Sequence, residues 1–134
     1  MQGTFVDINI FLRHLLDDVP TQSAAARGVF TAIEQRSILA WTSPLVIAEI
    51  IFVLDNPKTY AVPRAVLRDQ LLPLLSLPNL KLERKRLYPR VFDLYVSLPI
   101  DLVDAYQAAL IEHYYTTTGI MTSRGADASE CAPI

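Results

Sequence analysis

One stretch of the chain decides the fold: Ser37-Ile-Leu-Ala-Trp-Thr-Ser43-Pro44-Leu-Val-Ile-Ala-Glu49-Ile-Ile-Phe-Val-Leu54. Its first part, up to Thr42, consists of β-prone and apolar residues and predicts a strand. Ser43 followed by Pro44 is a strong helix-start signal, because serine caps a helix and proline suits its first position. The stretch therefore predicts a strand that leads directly into a helix ending near Leu54.

Glu49 is the most informative residue of this helix, because the residues around it from Pro44 to Leu54 are apolar. An unpaired, ionised carboxylate in apolar surroundings would cost roughly several kcal/mol. We therefore expect a cation, a metal or a water-filled cleft beside Glu49. The ordinary alternative is a buried partner such as Arg13 or Arg68.

Strands and helices alternate along most of the chain. Strands are predicted at residues 4–6, 37–42 and 80–83, and helices at residues 10–16, 20–36, 44–54, 63–77, 87–98 and 101–112. Pro73 is expected to kink or divide the helix at 63–77. This alternation favours an α/β fold with a parallel sheet covered on both faces. Ligands of such sheets bind beyond the carboxyl ends of the strands.

Two further acids occupy positions that suit a site at this edge. Asp7 ends the first strand, and Asn9 two residues later could offer an amide to the same ligand; Asp104 opens an alanine-rich helix. Each has a structural alternative, because Asp7 could cap the next helix and Asp101 with Asp104 resembles an N-cap with an acid at N3. Together with Glu49 they predict a shared hard cation, and Mg²⁺ suits a site built from carboxylate oxygens.

The composition describes one globular domain of 134 residues, with 51% apolar and 19% charged residues and a net charge of −2. Five of the twelve cations nevertheless fall within residues 81–90. Arg84, Lys85 and Arg86 are therefore candidate contacts for an RNA backbone, with a solvated surface as the alternative. The single Cys131 and two histidines argue against a zinc site. No apolar run is long enough to cross a bilayer, so we expect a cytoplasmic protein without membrane contact.

Three motifs, taken in order, resemble the PIN-domain ribonucleases. They are Phe5-Val-Asp7-Ile-Asn9-Ile-Phe-Leu, Thr42-Ser-Pro-Leu-Val-Ile-Ala-Glu49-Ile and Asp101-Leu-Val-Asp104-Ala-Tyr-Gln-Ala-Ala-Leu110. More narrowly, the chain looks like the VapC-type toxins of toxin–antitoxin pairs. The resemblance covers roughly residues 3–113 and is carried by the order and spacing of the motifs.

This resemblance implies a three-layer α/β/α sandwich with a central parallel sheet. It also implies an endoribonuclease that depends on Mg²⁺ or Mn²⁺ and cleaves RNA phosphodiesters by metal-activated water, leaving a 5′-phosphate. Asp7, Glu49 and Asp104 match the catalytic, metal-binding acids, and Asn9 matches a supporting polar neighbour. Asp7 and Asp104 are expected to bind the metal directly, and Glu49 partly through water. The implied partner is a VapB-like antitoxin.

The C-terminal part departs from the family pattern. A fourth acid is expected after a fourth strand, but Thr122-Ser-Arg124 has arginine at that place. We therefore expect a PIN-like domain at residues 1–122, a closing strand that is missing or altered, and an atypical, disordered tail at residues 123–134. A second metal is in question. The alternative function is a catalytically impaired PIN-like protein that only binds its antitoxin.

Two other expectations concern partners and class. A homodimer is possible through apolar helix faces predicted to be exposed at Leu71, Leu72, Leu74 and Leu75. A receiver domain phosphorylated on a strand-end aspartate fits less well. It would need paired acids at the first strand and a late lysine, and no lysine follows Lys85.

Overall fold

The computed structural model of the protein describes residues 3–115. In chain order the elements are β1 (Gly3–Phe5), α1 (Ile8–Leu16), α2 (Pro20–Glu34), β2 (Leu39–Trp41), α3 (Pro44–Leu54), α4 (Arg64–Leu75), β3 (Leu80–Lys81), a 3₁₀ helix (Lys85–Leu87), α5 (Tyr88–Ser97) and α6 (Leu102–Tyr115). The expectations about a closing strand, Arg124 and the tail at 123–134 fall outside the described residues.

The strands of residues 3–115 form a parallel sheet in the order β1-β2-β3. β1 pairs with β2 from Gly3 opposite Leu39 to Phe5 opposite Trp41. Parallel neighbours need long crossover connections, which α1 with α2 and then α3 with α4 provide. The predicted α/β fold with a central parallel sheet is confirmed.

The helices bury one face each, and α4 shows how the register is set. Leu67, Leu71 and Leu75 are spaced by four residues and are at most 1% exposed, so they form the inner face of α4. The prediction that Leu71 and Leu75 lie on an exposed face is therefore wrong. Leu72 and Leu74 are half-buried. α4 also continues through Pro73, so the predicted division of this helix did not occur.

The carboxyl ends of the strands are tied together just beyond the regular pairing. The buried Thr42 donates its hydroxyl to the Val6 carbonyl at 2.9 Å. The Val6 amide donates to the Trp41 carbonyl at 2.7 Å, and the Thr42 amide donates to the Lys81 carbonyl at 3.0 Å. Because α1 and α3 begin two residues after Val6 and Thr42, these bonds fix where both helices start.

Replacing Thr42 with valine keeps the shape of the side chain and removes its hydroxyl. The Val6 carbonyl then loses its buried donor, which should lower the free energy of unfolding by about 1–3 kcal/mol. Chemical denaturation measures the change. The exposed Thr31 on α2 provides the matched control, and an equal loss for Thr31→Val would show that the Thr42 bond has no special role.

Candidate active site

Asp7 lies at the carboxyl end of β1 and caps α1. Its Oδ1 accepts hydrogen bonds from the Asn9 amide at 3.1 Å and the Ile10 amide at 3.3 Å. The structural role considered for Asp7 is therefore real. Because Oδ1 takes both cap bonds and the side chain is exposed, Oδ2 is held in a fixed direction at the edge of the sheet.

Asp7 and Asn9 line the same cleft, between α1 and α2. The cleft has a volume of about 390 Å³, and Arg13 also lines it. The Asp-x-Asn spacing thus brings a carboxylate and an amide to one opening. Glu49 and Asp104 are not among the residues that line this cleft.

The helix that carries Glu49 starts as the sequence predicts. Ser43 caps α3, and its hydroxyl oxygen accepts a hydrogen bond from the Val46 amide at 3.3 Å. α3 packs against both α1 and α6. It therefore contacts the helix that follows Asp7 and the helix that carries Asp104.

Glu49 is exposed, so the apolar residues around it in the sequence do not enclose its carboxylate. The buried face of α3 consists of Ile47, Ile50, Ile51 and Leu54. Glu49 shares the opposite face with Leu45 and Phe52, which are 77% and 73% exposed. The carboxylate meets water, and neither Arg13 nor Arg68 is needed to neutralise it. Arg68 instead pairs with Asp69 at 2.9 Å.

Asp104 lies in the first turn of α6 and is also exposed. Its amide donates to Asp101 Oδ1 at 2.8 Å, so Asp101 is the cap that the sequence suggested. This bond uses the backbone of Asp104 and leaves its carboxylate available. An acid at this position also suits the helix dipole.

Arg64 on α4 fixes the loop that precedes α6. It donates to the carbonyls of Tyr95 at 2.7 Å and of Ile100, and its guanidinium lies 4.2 Å from the centre of the Tyr95 ring. The Tyr95 hydroxyl donates to Asp55 at the end of α3 at 2.6 Å. Burial first, and then this bond, raises the pKa of Tyr95 well above its ordinary value. The ends of α3 and α5 and the start of α6 are thereby held together.

The three predicted acids are exposed oxygen donors, which is the donor chemistry that a hard cation prefers. Asp7 and Asp104 lie at helix starts, and Glu49 lies in the middle of α3. Among residues 3–115, however, no three His, Cys, Asp or Glu side chains lie close enough to hold one metal ion. Mg²⁺ needs just one or two carboxylates and keeps several waters, so a three-ligand group is not required. The assignment of Asp7, Glu49 and Asp104 to one metal stays a prediction.

A groove lies between the two helices that carry Glu49 and Asp104. It has a volume of about 280 Å³, and its walls include Leu45, Ala48, Val103 and Gln107. Neither acid lines the groove, although each directly follows a lining residue in the sequence, Glu49 after Ala48 and Asp104 after Val103.

The basic segment, residues 81–90, follows β3 and so leaves the same edge of the sheet. Most of its cationic side chains form hydrogen bonds or ion pairs within the protein. Lys85 donates to the carbonyls of Leu77 and, at 2.8 Å, Leu80, and Arg90 forms a two-bonded ion pair with Glu112 at 2.8 and 2.9 Å. Burial lowers the pKa of Lys85. Lys85 is therefore a structural residue, which makes it the weakest of the three predicted RNA contacts.

Arg84 and Arg86 differ from Lys85. Contact with the hydroxyls of Tyr106 and then Tyr114 raises the pKa of Arg84, whose side chain is 32% exposed. Arg84 also lies 3.6 Å from Glu83. Arg86 is exposed. The sequence did not predict that these tyrosines lie beside Arg84, because their spacing is that of an ordinary helix face.

Lys85→Met should destabilise the protein, because the carbonyls of Leu77 and Leu80 at the start of β3 each lose the lysine as a donor, and only the Leu80 amide still donates to Leu77. The expected decrease in the free energy of unfolding is about 1–3 kcal/mol. Arg86→Met is the matched control and should change stability by less than about 0.5 kcal/mol. Denaturant titration of both variants tests this, and equal stability of the two would contradict the structural role of Lys85.

These features define an α/β protein with the Asp7 carboxylate at the carboxyl edge of a parallel sheet and two further exposed acids on α3 and α6. The family model for the PIN domain matches residues 4–123. The chain therefore belongs to the PIN domain family, whose members are generally nucleases and typically use divalent metals. No curated protein and no solved structure matched the chain. Within residues 3–115, no helix has the length and apolar character needed to cross a membrane.

Proposed function

We propose that this protein is a metal-dependent endoribonuclease and the toxin of a toxin–antitoxin pair, similar to VapC. The observation that carries the proposal is the position of Asp7 at the carboxyl end of β1 in a chain that belongs to the PIN domain family. Membership of the family supports nuclease activity in general. The preference for RNA and the antitoxin partner rest on the resemblance of the three sequence motifs.

Each of the four predicted site residues would have its own role in this reaction. Asp7, with one oxygen fixed by the α1 cap, and Asp104 would bind Mg²⁺ or Mn²⁺ directly, and Glu49 would act partly through water. Asn9 would orient a ligand in the cleft that it shares with Asp7. The cation, when bound, would lower the pKa of a water molecule and neutralise charge that develops on the phosphoryl oxygen.

The protein should cleave RNA with Mg²⁺, and Asp7→Asn should reduce the rate at least about a hundredfold because removing a charged group that acts in the transition state costs several kcal/mol. Asparagine caps helices as well as aspartate, so α1 should remain intact. Glu49→Gln should also slow cleavage. Cleavage is followed on labelled RNA, and folding by thermal melting.

Asp18→Asn is the matched control, because Asp18 is exposed just beyond the opposite end of α1. Its cleavage rate should equal that of the wild type. Unchanged cleavage in both Asp7→Asn and Glu49→Gln would contradict the assigned site.

The second candidate function is an inactive PIN-domain protein that only binds its antitoxin. One observation in favour is that, within residues 3–115, no three His, Cys, Asp or Glu side chains lie close enough to hold one metal ion. Another is that Leu45 and Phe52 are exposed on the face of α3 that carries Glu49. Such a face suits a protein partner.

Titration calorimetry with Mg²⁺ distinguishes the two functions. The nuclease should take up Mg²⁺ with an affinity that Asp7→Asn weakens and Asp18→Asn leaves unchanged. Tight binding of an antitoxin by a protein that releases no heat with Mg²⁺ would favour the inactive protein instead.

A further inference from the structure

The groove between α3 and α6 has the size and the mostly apolar lining that suit one flat, mostly apolar group. Its volume of about 280 Å³ is at the small end of the range for ligand sites. Leu45 and Ala48 line one side, and Val103, Tyr106 and Leu110 line the other. Gln107 adds one amide that can donate and accept hydrogen bonds.

The aromatic wall of this groove is held in position by a second, buried ring that also lines the groove. The ring of Tyr106 packs against that of Tyr88, with centres 5.8 Å apart and the planes tilted by 58°. Tyr88 is 1% exposed, so it cannot turn away without disturbing the core. The half-buried Tyr106 is therefore a preformed surface on which a planar group can pack.

Positive charge lies beside this aromatic wall. The Arg84 guanidinium lies 5.9 Å from the centre of the Tyr114 ring. Interaction with Tyr106 and then Tyr114 raises the pKa of Arg84. The 3₁₀ helix that follows Arg84 packs against α6. A ligand with a flat apolar part and an adjoining anion would match both features, and a nucleotide has this composition.

A protein helix is a poorer match for the groove itself. Such a helix binds by several apolar side chains spaced along its length, which requires an extended groove. The groove here is compact, contains one amide and adjoins a guanidinium. Single-stranded RNA, in contrast, is bound by aromatic side chains that pack on individual bases and by cations that contact phosphates.

We propose that the α3–α6 groove receives one nucleobase of single-stranded RNA, and that Arg84 contacts the adjoining phosphate. The inference rests on the proposed function, because it takes RNA as the substrate. It places base recognition between the two helices that carry Glu49 and Asp104, so that the nucleotide bound in the groove would lie near the proposed site of cleavage. Tyr106 and Gln107 would then influence which base is preferred.

The test compares the affinities of two probes in EDTA: a fluorescent short oligouridylate and an oligomer of equal length that lacks the bases. Ala48→Phe fills the groove and should weaken binding of the oligouridylate about tenfold, the scale of losing one base–aromatic contact. Its affinity for the abasic oligomer should not change. Ala24→Phe, at an exposed position on α2, is the matched control and should bind both probes like the wild type.

Two further variants test the inference without relying on Ala48→Phe alone. Val103→Trp blocks the groove from a position that is 51% exposed, so it should fold normally and repeat the effect of Ala48→Phe. Arg84→Gln should weaken both probes equally and reduce the salt dependence of binding, because it removes a phosphate contact. Thermal melting of each variant checks folding.

Equal weakening of both probes by folded Ala48→Phe and Val103→Trp, or no weakening of either, would overturn the inference. The inference would also be overturned if the wild-type protein bound no RNA. The same holds if the two blocking variants prevented binding of a basic amphipathic peptide and left the affinity for RNA unchanged. Cleavage is measured in parallel with Mg²⁺. If the protein cleaves RNA but the groove variants show no base-dependent loss of affinity, only the base-binding role of the groove is refuted. If binding depends on the bases but no RNA is cleaved, the nuclease activity is refuted and the base-binding role of the groove stands.

Discussion

The hydrogen bond from Thr42 to the Val6 carbonyl is the constraint on which the candidate site depends. It joins β1 and β2 at the point where both strands end and both following helices begin. Asp7 and Ser43 are the caps of those helices, so the same bond fixes the origin of α1 and of α3. Without it, this edge would be held by the backbone bonds from Val6 to Trp41 and from Thr42 to Lys81 alone, and the starts of the two helices would be less firmly fixed.

Short-range signals in the sequence were sufficient for the elements. Ser43-Pro44 predicted the start of α3, Asp101 predicted the cap of α6, and the strand-to-helix turn at Asp7 was found with its cap. Each depends on a few adjacent residues. The parallel sheet followed from the alternation of strands and helices.

Properties that depend on packing were not predictable in the same way. α3 is apolar on nearly every side, so its pattern does not reveal which face meets the core or that Glu49 lies on the exposed face. On α4, Leu71 and Leu75 form the inner face with Leu67, although they were expected to be exposed. Lys85 was read as a surface charge, because nothing local indicates that its ammonium group reaches the carbonyls of Leu77 and Leu80.

Two regions of different chemistry thus lie on the segments that follow the strands: the acids after β1 and on α3 and α6, and the cations after β3. Exposed carboxylates would weaken the binding of anionic RNA, and a bound cation would offset that effect. Arg84, beside the tyrosines of α6, would offset part of it as well. A divalent ion and the basic segment would therefore act together in binding one substrate.

The most direct test of the shared metal is a titration with Mn²⁺ followed by NMR, because the paramagnetic ion broadens the signals of residues close to it. The account predicts that the amide signals of Asp7, Glu49 and Asp104 broaden together at the lowest Mn²⁺ concentrations, while those of Asp17 and Asp18 remain sharp. Broadening that begins at other acids, or at Asp7 while Glu49 and Asp104 remain sharp, would contradict it.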